Sequence, residues 1–146
     1  MESAIPMASV SHSRLRHAAR APLVLVLEDE PSLQELMARL LRVHGYESRH
    51  GRTVDEAIAA ADREHIDAFI LDIGLRGADS GFTMLEWLRR DARYERTPVM
   101  IVTGQRVLSP EQQRLLRSHH AHVLHKPHPQ MALVNHLKRA IVSPES

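Results

Sequence analysis

Short apolar runs alternate with amphipathic segments along the chain from Pro22 onward. Runs of four or five apolar residues in succession are typical of strands that are buried on both faces of a parallel sheet. Segments with apolar residues three and four positions apart are typical of amphipathic helices. The predicted strands are Leu23–Leu27, a weak strand near Glu47–His50, Ala68–Leu71, Pro98–Val102 and Ala121–Leu124.

Helix start and stop signals lie between the predicted strands. Capping patterns at Ser32–Glu35, Thr53–Glu56 and Ser109–Gln112 predict helix N-termini, and Gly45 predicts the end of the first helix. The apolar positions expected to face the core in the last helix are Met131, Val134, Leu137 or Lys138, and Ile141. Five strands alternating with five helices predict an α/β fold, a doubly wound five-stranded parallel sheet with helices on both faces.

Composition and charge narrow the range of functions. The 146 residues suffice for one domain, and 43% hydrophobic with 25% charged residues is a globular profile. A net charge of +1 predicts no nucleic-acid partner, and no apolar run is long enough to predict membrane insertion. The chain contains no cysteine, which suits a reducing cytoplasm, so a cytoplasmic protein is expected.

Residues 1–21 differ from the rest because they are rich in arginine and serine and poor in acids. We interpret this segment as a flexible basic tail, and an organellar transit peptide is the alternative reading. Residues 143–146 are expected to form a short C-terminal tail, which leaves 22–142 as the predicted domain.

Polar side chains follow the predicted strands at their carboxyl ends. Glu28 and Asp29 follow the first strand, Asp72 the third, Thr103 the fourth and Lys126 the fifth. Open parallel sheets bind ligands beyond the carboxyl ends of their strands, so these side chains are expected to meet at one edge.

The chemistry of this set points to phosphoryl transfer. Clustered carboxylates repel one another unless a cation compensates, and Mg²⁺ prefers oxygen ligands. Asp72 is then a candidate nucleophile that forms an acyl phosphate, with Lys126 and the Thr103 hydroxyl as partners of the phosphoryl oxygens. Taken singly, each residue also fits a helix cap, an acidic turn or an exposed lysine. Their order at successive strand ends favours a common site.

Four motifs, LVLVLEDEP, AFILDIGLRG, TPVMIVTG and HVLHKP, resemble the receiver domain of two-component response regulators, including single-domain chemotaxis regulators. The resemblance covers Pro22 to about Val142. It implies a flavodoxin-like sheet with strand order 2-1-3-4-5. It also implies a cis peptide before Pro127.

The resemblance implies a role for each matching residue. Asp72 corresponds to the phosphoacceptor, Thr103 to the switch hydroxyl and Lys126 to the lysine of the family pattern. The expected Mg²⁺ ligands are Glu28, Asp29, Asp72 and the backbone carbonyl of Gly74. A stand-alone receiver with these residues would accept a phosphoryl group from a histidine kinase or phosphotransfer protein. It would act on a downstream target protein, and its fourth and fifth helices with the fifth strand could also support a homodimer.

Three positions depart from the family pattern. Val123 replaces the usual aromatic residue three positions before the lysine, Arg76 a common proline, and His128 a common aromatic. Val123 motivates an alternative, a pseudo-receiver that serves as a phosphorylation-independent interaction scaffold. A second alternative is a haloacid-dehalogenase-like phosphatase, but Gly74 stands where such enzymes need a second aspartate. We expect no enzyme activity beyond formation and hydrolysis of the protein's own aspartyl phosphate.

Overall fold

The structure is a computed structural model. It describes residues 20–74, 81–105, 107–127 and 130–141. The predicted tails, 1–21 and 143–146, lie outside these ranges except for Arg20 and Ala21, and so do Arg76 and His128. The predicted domain bounds of 22–142 stay a prediction.

The described residues form a parallel sheet of five strands with helices between them. The strands are β1 (Leu23–Leu27), β2 (Glu47–Gly51), β3 (Ala68–Asp72), β4 (Val99–Thr103) and β5 (His122–His125). The helices are α1 (Pro31–Val43), α2 (Val54–Arg63), α3 (Gly81–Arg90), α4 (Pro110–Ser118) and α5 (Gln130–Ile141). The order β2-β1-β3-β4-β5 confirms the predicted fold class and topology.

The sheet is buried on both faces, as its apolar strands require. In β1, Leu25 and Leu27 pack with residues of α2, α3 and α4, whereas Val24 and Val26 pack on the opposite face with α1 and α5. All five residues of β1, β3 and β4 are buried. Burial of each such aliphatic side chain contributes about 1.5–3 kcal/mol, so the central strands hold the carboxyl edge of the sheet in place.

Two of the three predicted N-cap residues, Thr53 and Ser109, cap their helices in the structure. At α4 the Ser109 hydroxyl accepts from the Gln112 amide at 3.1 Å and the Gln112 side chain accepts from the Ser109 amide at 2.9 Å, a complete capping box. At α2 the Thr53 hydroxyl accepts from the Glu56 amide at 3.1 Å, while the Glu56 carboxylate accepts from the preceding Arg52 amide.

The capping box predicted at Ser32 is wrong. Helix α1 begins at Pro31, with Glu30 as the N-cap residue, and the Ser32 hydroxyl donates to the Glu30 carboxylate at 3.0 Å. Proline lacks an amide proton and has a fixed φ, so it suits the first helical position and places the helix start before Ser32. The predicted stop is confirmed, because Gly45 follows the helix with a φ of +93°.

Three apolar residues near the starts of two helices are exposed, and one of them, Met131, was predicted to face the core. In α1, Leu33 is 37% and Leu36 50% exposed, and in α5, Met131 is 46% exposed. These residues lie near the N-termini of their helices, beside the carboxyl edge of the sheet, where the strands no longer cover them. None of the helices in the described ranges has the length and apolar content needed to cross a membrane.

Candidate functional site

Four strand ends bring the predicted site residues to one edge of the sheet. Asp72 is the last residue of β3, and Thr103 is the last residue of β4. Both residues were predicted to follow their strands directly, so each strand extends one residue further than expected. Glu28 follows β1 directly, and Lys126 follows β5. Because β1, β3, β4 and β5 are successive neighbours in a parallel sheet, their carboxyl ends meet.

Three carboxylates form the centre of the site. Glu28, Asp29 and Asp72 each offer a carboxylate oxygen, and these oxygens all lie within 4.8 Å of one another. Glu28 and Asp72 are both only 8% exposed. One Asp72 oxygen, Oδ1, accepts a hydrogen bond from the Gly74 amide at 2.7 Å. Gly74 thus lies against the site, and the metal-binding role of its carbonyl stays a prediction.

Lys126 supplies the positive charge that faces these acids. Its Nζ lies 3.2 Å from Asp72 Oδ2 and 3.9 Å from Glu28 Oε1. Its backbone amide donates to the Thr103 carbonyl at 2.7 Å, which fixes the end of β5 against the end of β4. The peptide bond from Lys126 to Pro127 is cis, as the resemblance implied.

The electrostatics of the site are unfavourable in the absence of a cation. The pKa of Glu28 is raised from 4.5 to about 7, chiefly by burial and to a smaller extent by the nearby charge of Asp72. A hydrogen bond from the Glu30 amide and the charge of Lys126 act in the opposite direction and only partly compensate. The charged form of Glu28 is therefore disfavoured in the folded protein even with Lys126 nearby.

This donor set fits a small hard divalent cation. The three side chains offer only carboxylate oxygens, the ligands that Mg²⁺ prefers, and they converge on one point at the sheet edge. A divalent cation would also favour the charged form of Glu28, which burial and the neighbouring Asp72 disfavour. The residues present therefore fit a magnesium ion held by Glu28, Asp29 and Asp72.

Thr103 completes the set of predicted side chains. It is 1% exposed, and its hydroxyl oxygen accepts a hydrogen bond from the Gln105 amide at 3.0 Å. The hydroxyl proton stays available for donation to another oxygen. The structure thus brings Glu28, Asp29, Asp72, Thr103 and Lys126 to the same edge of the sheet.

Two features of the site were missed in the sequence. Gly81, the first residue of α3, is one: a Cβ there would lie 2.9 Å from the Asp72 carbonyl oxygen, so only glycine lets α3 begin this close to β3. The other is an apolar groove of about 380 Å³ beside Asp72 and Lys126. Leu33, Leu36 and Met37 of α1 line it. In the sequence, only the apolar residues in the first turns of α1 could have indicated this groove.

Comparisons with known proteins agree with this geometry. The family model described as the response regulator receiver domain matches residues 24–138. The chain is 35% identical over 107 residues to the transcriptional activator protein PfeR of Pseudomonas aeruginosa, a match that covers 73% of this chain and 32% of that protein. The chain thus spans about a third of the length of the first curated relatives that it matches.

Solved structures resemble the chain over nearly their full length. The chemotaxis response regulator CheY4 of Vibrio cholerae is 26% identical with a TM-score of 0.74, over 82% of this chain and 98% of that one. The receiver domain of the sensor histidine kinase PA1611 of Pseudomonas aeruginosa is also 26% identical, with a TM-score of 0.72 over 84% of this chain and 99% of that one. That structure holds a magnesium ion in its active-site cleft. From the family match and the shared fold we conclude that this chain belongs to the response regulator receiver domain family.

Proposed function

We propose that this receiver domain accepts a phosphoryl group on Asp72, with Mg²⁺, and passes the signal on by protein–protein interaction in the cytoplasm. The donor is proposed to be a histidine kinase or a phosphotransfer protein. The observation that carries the proposal is the buried Asp72 carboxylate, which lies between Lys126 at 3.2 Å and two further carboxylates. We propose that the domain catalyses only the formation and hydrolysis of its own aspartyl phosphate.

We propose one task for each side chain in this transfer. An Asp72 oxygen attacks the phosphorus, and the bond from phosphorus to the donor nitrogen or oxygen breaks, so that the electron pair leaves with the donor. Lys126 exchanges its pairing with the Asp72 carboxylate for one with a phosphoryl oxygen. The Thr103 hydroxyl donates a hydrogen bond to a second phosphoryl oxygen. Glu28, Asp29 and Asp72 would hold Mg²⁺, which would neutralise charge on the carboxylates and the phosphoryl group.

Intact-mass analysis after incubation with acetyl phosphate and Mg²⁺ tests this proposal. The expected result is one added phosphoryl group on the wild type, with no addition after chelation by EDTA. Asp72→Asn should prevent labelling, whereas Asp55→Asn, at an exposed position in the first turn of α2, should leave it unchanged. Labelling of Asp72→Asn to the wild-type extent, or none on the wild type, would refute the proposal.

The groove beside Asp72 suits the docking of a protein donor. Leu36 is half exposed in the second turn of α1 and lines the groove together with Leu33 and Pro127. Phosphotransfer profiling against purified histidine kinases should identify a donor, and Leu36→Ser should then slow transfer from that kinase. Labelling by acetyl phosphate should stay unchanged, because the small donor needs no docking surface. Equal loss in both reactions would argue against donor docking in the groove.

Output is proposed to involve α4, β5 and α5, which take a target protein or a second copy of the chain. Val123 favours one alternative, a scaffold whose binding does not depend on phosphorylation. It is half-buried against the core beside Ile101, so it offers no aromatic ring to change rotamer with Thr103. Partner capture and size-exclusion chromatography with and without beryllofluoride separate the two functions. Binding that is indifferent to beryllofluoride would establish the scaffold.

A further inference from the structure

A histidine at the end of β5 is bonded to the loop that follows Thr103. The Gln105 carbonyl lies 3.0 Å from His125 Nδ1, and the Gln105 amide donates to the Thr103 hydroxyl oxygen at 3.0 Å. A carbonyl oxygen only accepts hydrogen bonds, so Nδ1 of His125 carries the proton. Gln105 is thus held on both sides of its backbone, by the Thr103 hydroxyl and by the His125 ring.

The same two strand ends are also joined through the backbone. Thr103 and His125 are direct partners in the β4–β5 register, and the Lys126 amide donates to the Thr103 carbonyl at 2.7 Å. The bonds therefore form a closed path from Thr103 through Gln105 and His125 to Lys126 and back to Thr103. Two members of this path, Thr103 and Lys126, are the residues proposed to contact the phosphoryl group.

The ring of His125 lies on the face of the sheet that also carries Val123. Ile101 pairs with Val123 and Thr103 with His125, and alternate residues of a strand share a face. The chain thus has an aliphatic residue at the expected aromatic position, and it has a ring two residues further along the same face. This ring reaches the loop after Thr103 directly, through a hydrogen bond.

We propose that His125 is a positioning residue that holds the Thr103 hydroxyl in place for the phosphoryl group by fixing the Gln105 backbone. This inference rests on the proposed function of Asp72. The Gln105 amide occupies one lone pair of the Thr103 hydroxyl, which restricts the directions in which that hydroxyl donates its own proton. Without the bond from His125, Gln105 loses a fixed orientation, and the hydroxyl spends less time oriented towards a phosphoryl oxygen.

The test compares the rate of Asp72 phosphorylation by acetyl phosphate and Mg²⁺ in three variants. His125→Ala removes the donor and should slow phosphorylation roughly three- to tenfold, the effect of one lost positioning hydrogen bond. His125→Asn keeps an amide donor near the place of Nδ1 and should restore most of the rate. His122→Ala removes an exposed histidine from the same strand, one that stacks on His136 instead of the loop, and should match the wild type.

A second measurement separates positioning from general damage. The affinity for Mg²⁺, measured by isothermal titration calorimetry, should be unchanged in His125→Ala because the three carboxylates keep their places. His125 is exposed, so the variants should fold, which circular dichroism verifies. Equal rates in His125→Ala and wild type would overturn this inference and leave the proposed function standing. Slow phosphorylation of His125→Asn or of His122→Ala would also overturn it. A wild type that is never phosphorylated would refute the function itself.

Discussion

Glu28 is the residue through which the stability of the domain should depend on pH and on Mg²⁺. Its carboxyl is buried beside Asp72, and its pKa rises from 4.5 to about 7 chiefly because burial disfavours the charged form. Replacement by glutamine removes the charge and keeps an oxygen that can accept the bond now donated by the Glu30 amide at 3.1 Å. Glu28→Gln should therefore stabilise the metal-free domain at neutral and alkaline pH.

The sign and size of the effect follow from the proton balance. Between pH 4.5 and about 7 the folded protein keeps a proton on Glu28 that the unfolded chain has released. The contribution of Glu28 to the free energy of unfolding therefore falls as pH rises through that window and is constant outside it. At about 1.36 kcal/mol per pKa unit, the limit is about 3 kcal/mol. We expect Glu28→Gln to be about 1–3 kcal/mol more stable than wild type at pH 8 in EDTA.

Urea unfolding from pH 4 to 8, in EDTA and in Mg²⁺, measures this effect. The difference between wild type and variant is the quantity to plot, because other groups titrate in both proteins. Partial desolvation lowers the pKa values of three histidines, which makes stability rise with pH up to about 6.5 in both proteins. These are His50, His122 and His136. Mg²⁺ should stabilise wild type more than the variant, since it binds only the assembled carboxylates.

Glu35→Gln provides the matched control. Glu35 is an exposed glutamate of α1, paired with Arg39 at 3.1 Å, and such surface pairs contribute about 0.3–0.5 kcal/mol. Its replacement should change the unfolding free energy by no more than that at any pH. A Glu28→Gln variant less stable than wild type in EDTA at pH 8 would refute the reasoning. So would a difference between them that does not grow from pH 5 to 7.

Three further substitutions test the charges and hydrogen bonds around the site and the core. Lys126→Met removes the charge 3.2 Å from Asp72, so calorimetry should show Mg²⁺ bound at least about threefold more tightly. Arg89→Met leaves three backbone carbonyls without their guanidinium donor and should cost about 2–4 kcal/mol in urea unfolding. Tyr94→Phe removes a buried hydroxyl that donates to the Ala61 carbonyl at 2.7 Å, and should cost about 1–2 kcal/mol in the same assay.

The sheet could be predicted from the sequence because its central strands are continuous apolar runs. Such runs are typical of strands that are buried on both faces of a sheet. The predicted ends of β1, β3 and β4 therefore differ from the observed ends by at most one residue. The strand order was implied by the family resemblance, since the residues alone predicted only a parallel sheet. The residue at which α1 begins could not be predicted, because Pro31 and Ser32 are both typical of helix starts. In the structure the helix begins at Pro31, whose fixed φ suits the first helical position.

The exposed leucines and the close approach of α3 depend on tertiary geometry. Periodicity shows that Leu33 and Leu36 share a face of α1 with apolar residues that pack on the core, but it does not show that the sheet ends before it covers these two leucines. Gly81 looks like any glycine in a loop until the path of α3 brings it within contact distance of β3. Both features belong to the surroundings of Asp72, whose neighbours come from four separate segments of the chain.

Two carboxylates, those of Glu28 and Asp72, remain buried side by side at this edge of the sheet although that arrangement is unfavourable. Glu28 and Asp72 would separate or remain exposed if packing alone determined their places, because burying like charges is unfavourable. The apolar strands that precede them hold both side chains together, since β1 and β3 are paired along their length and fully buried. The unfavourable burial of these carboxylates therefore remains in the folded protein, where Lys126 compensates only part of it and a bound cation would compensate more. Stability, Mg²⁺ binding and readiness of Asp72 for phosphorylation should for that reason change together in variants of Glu28.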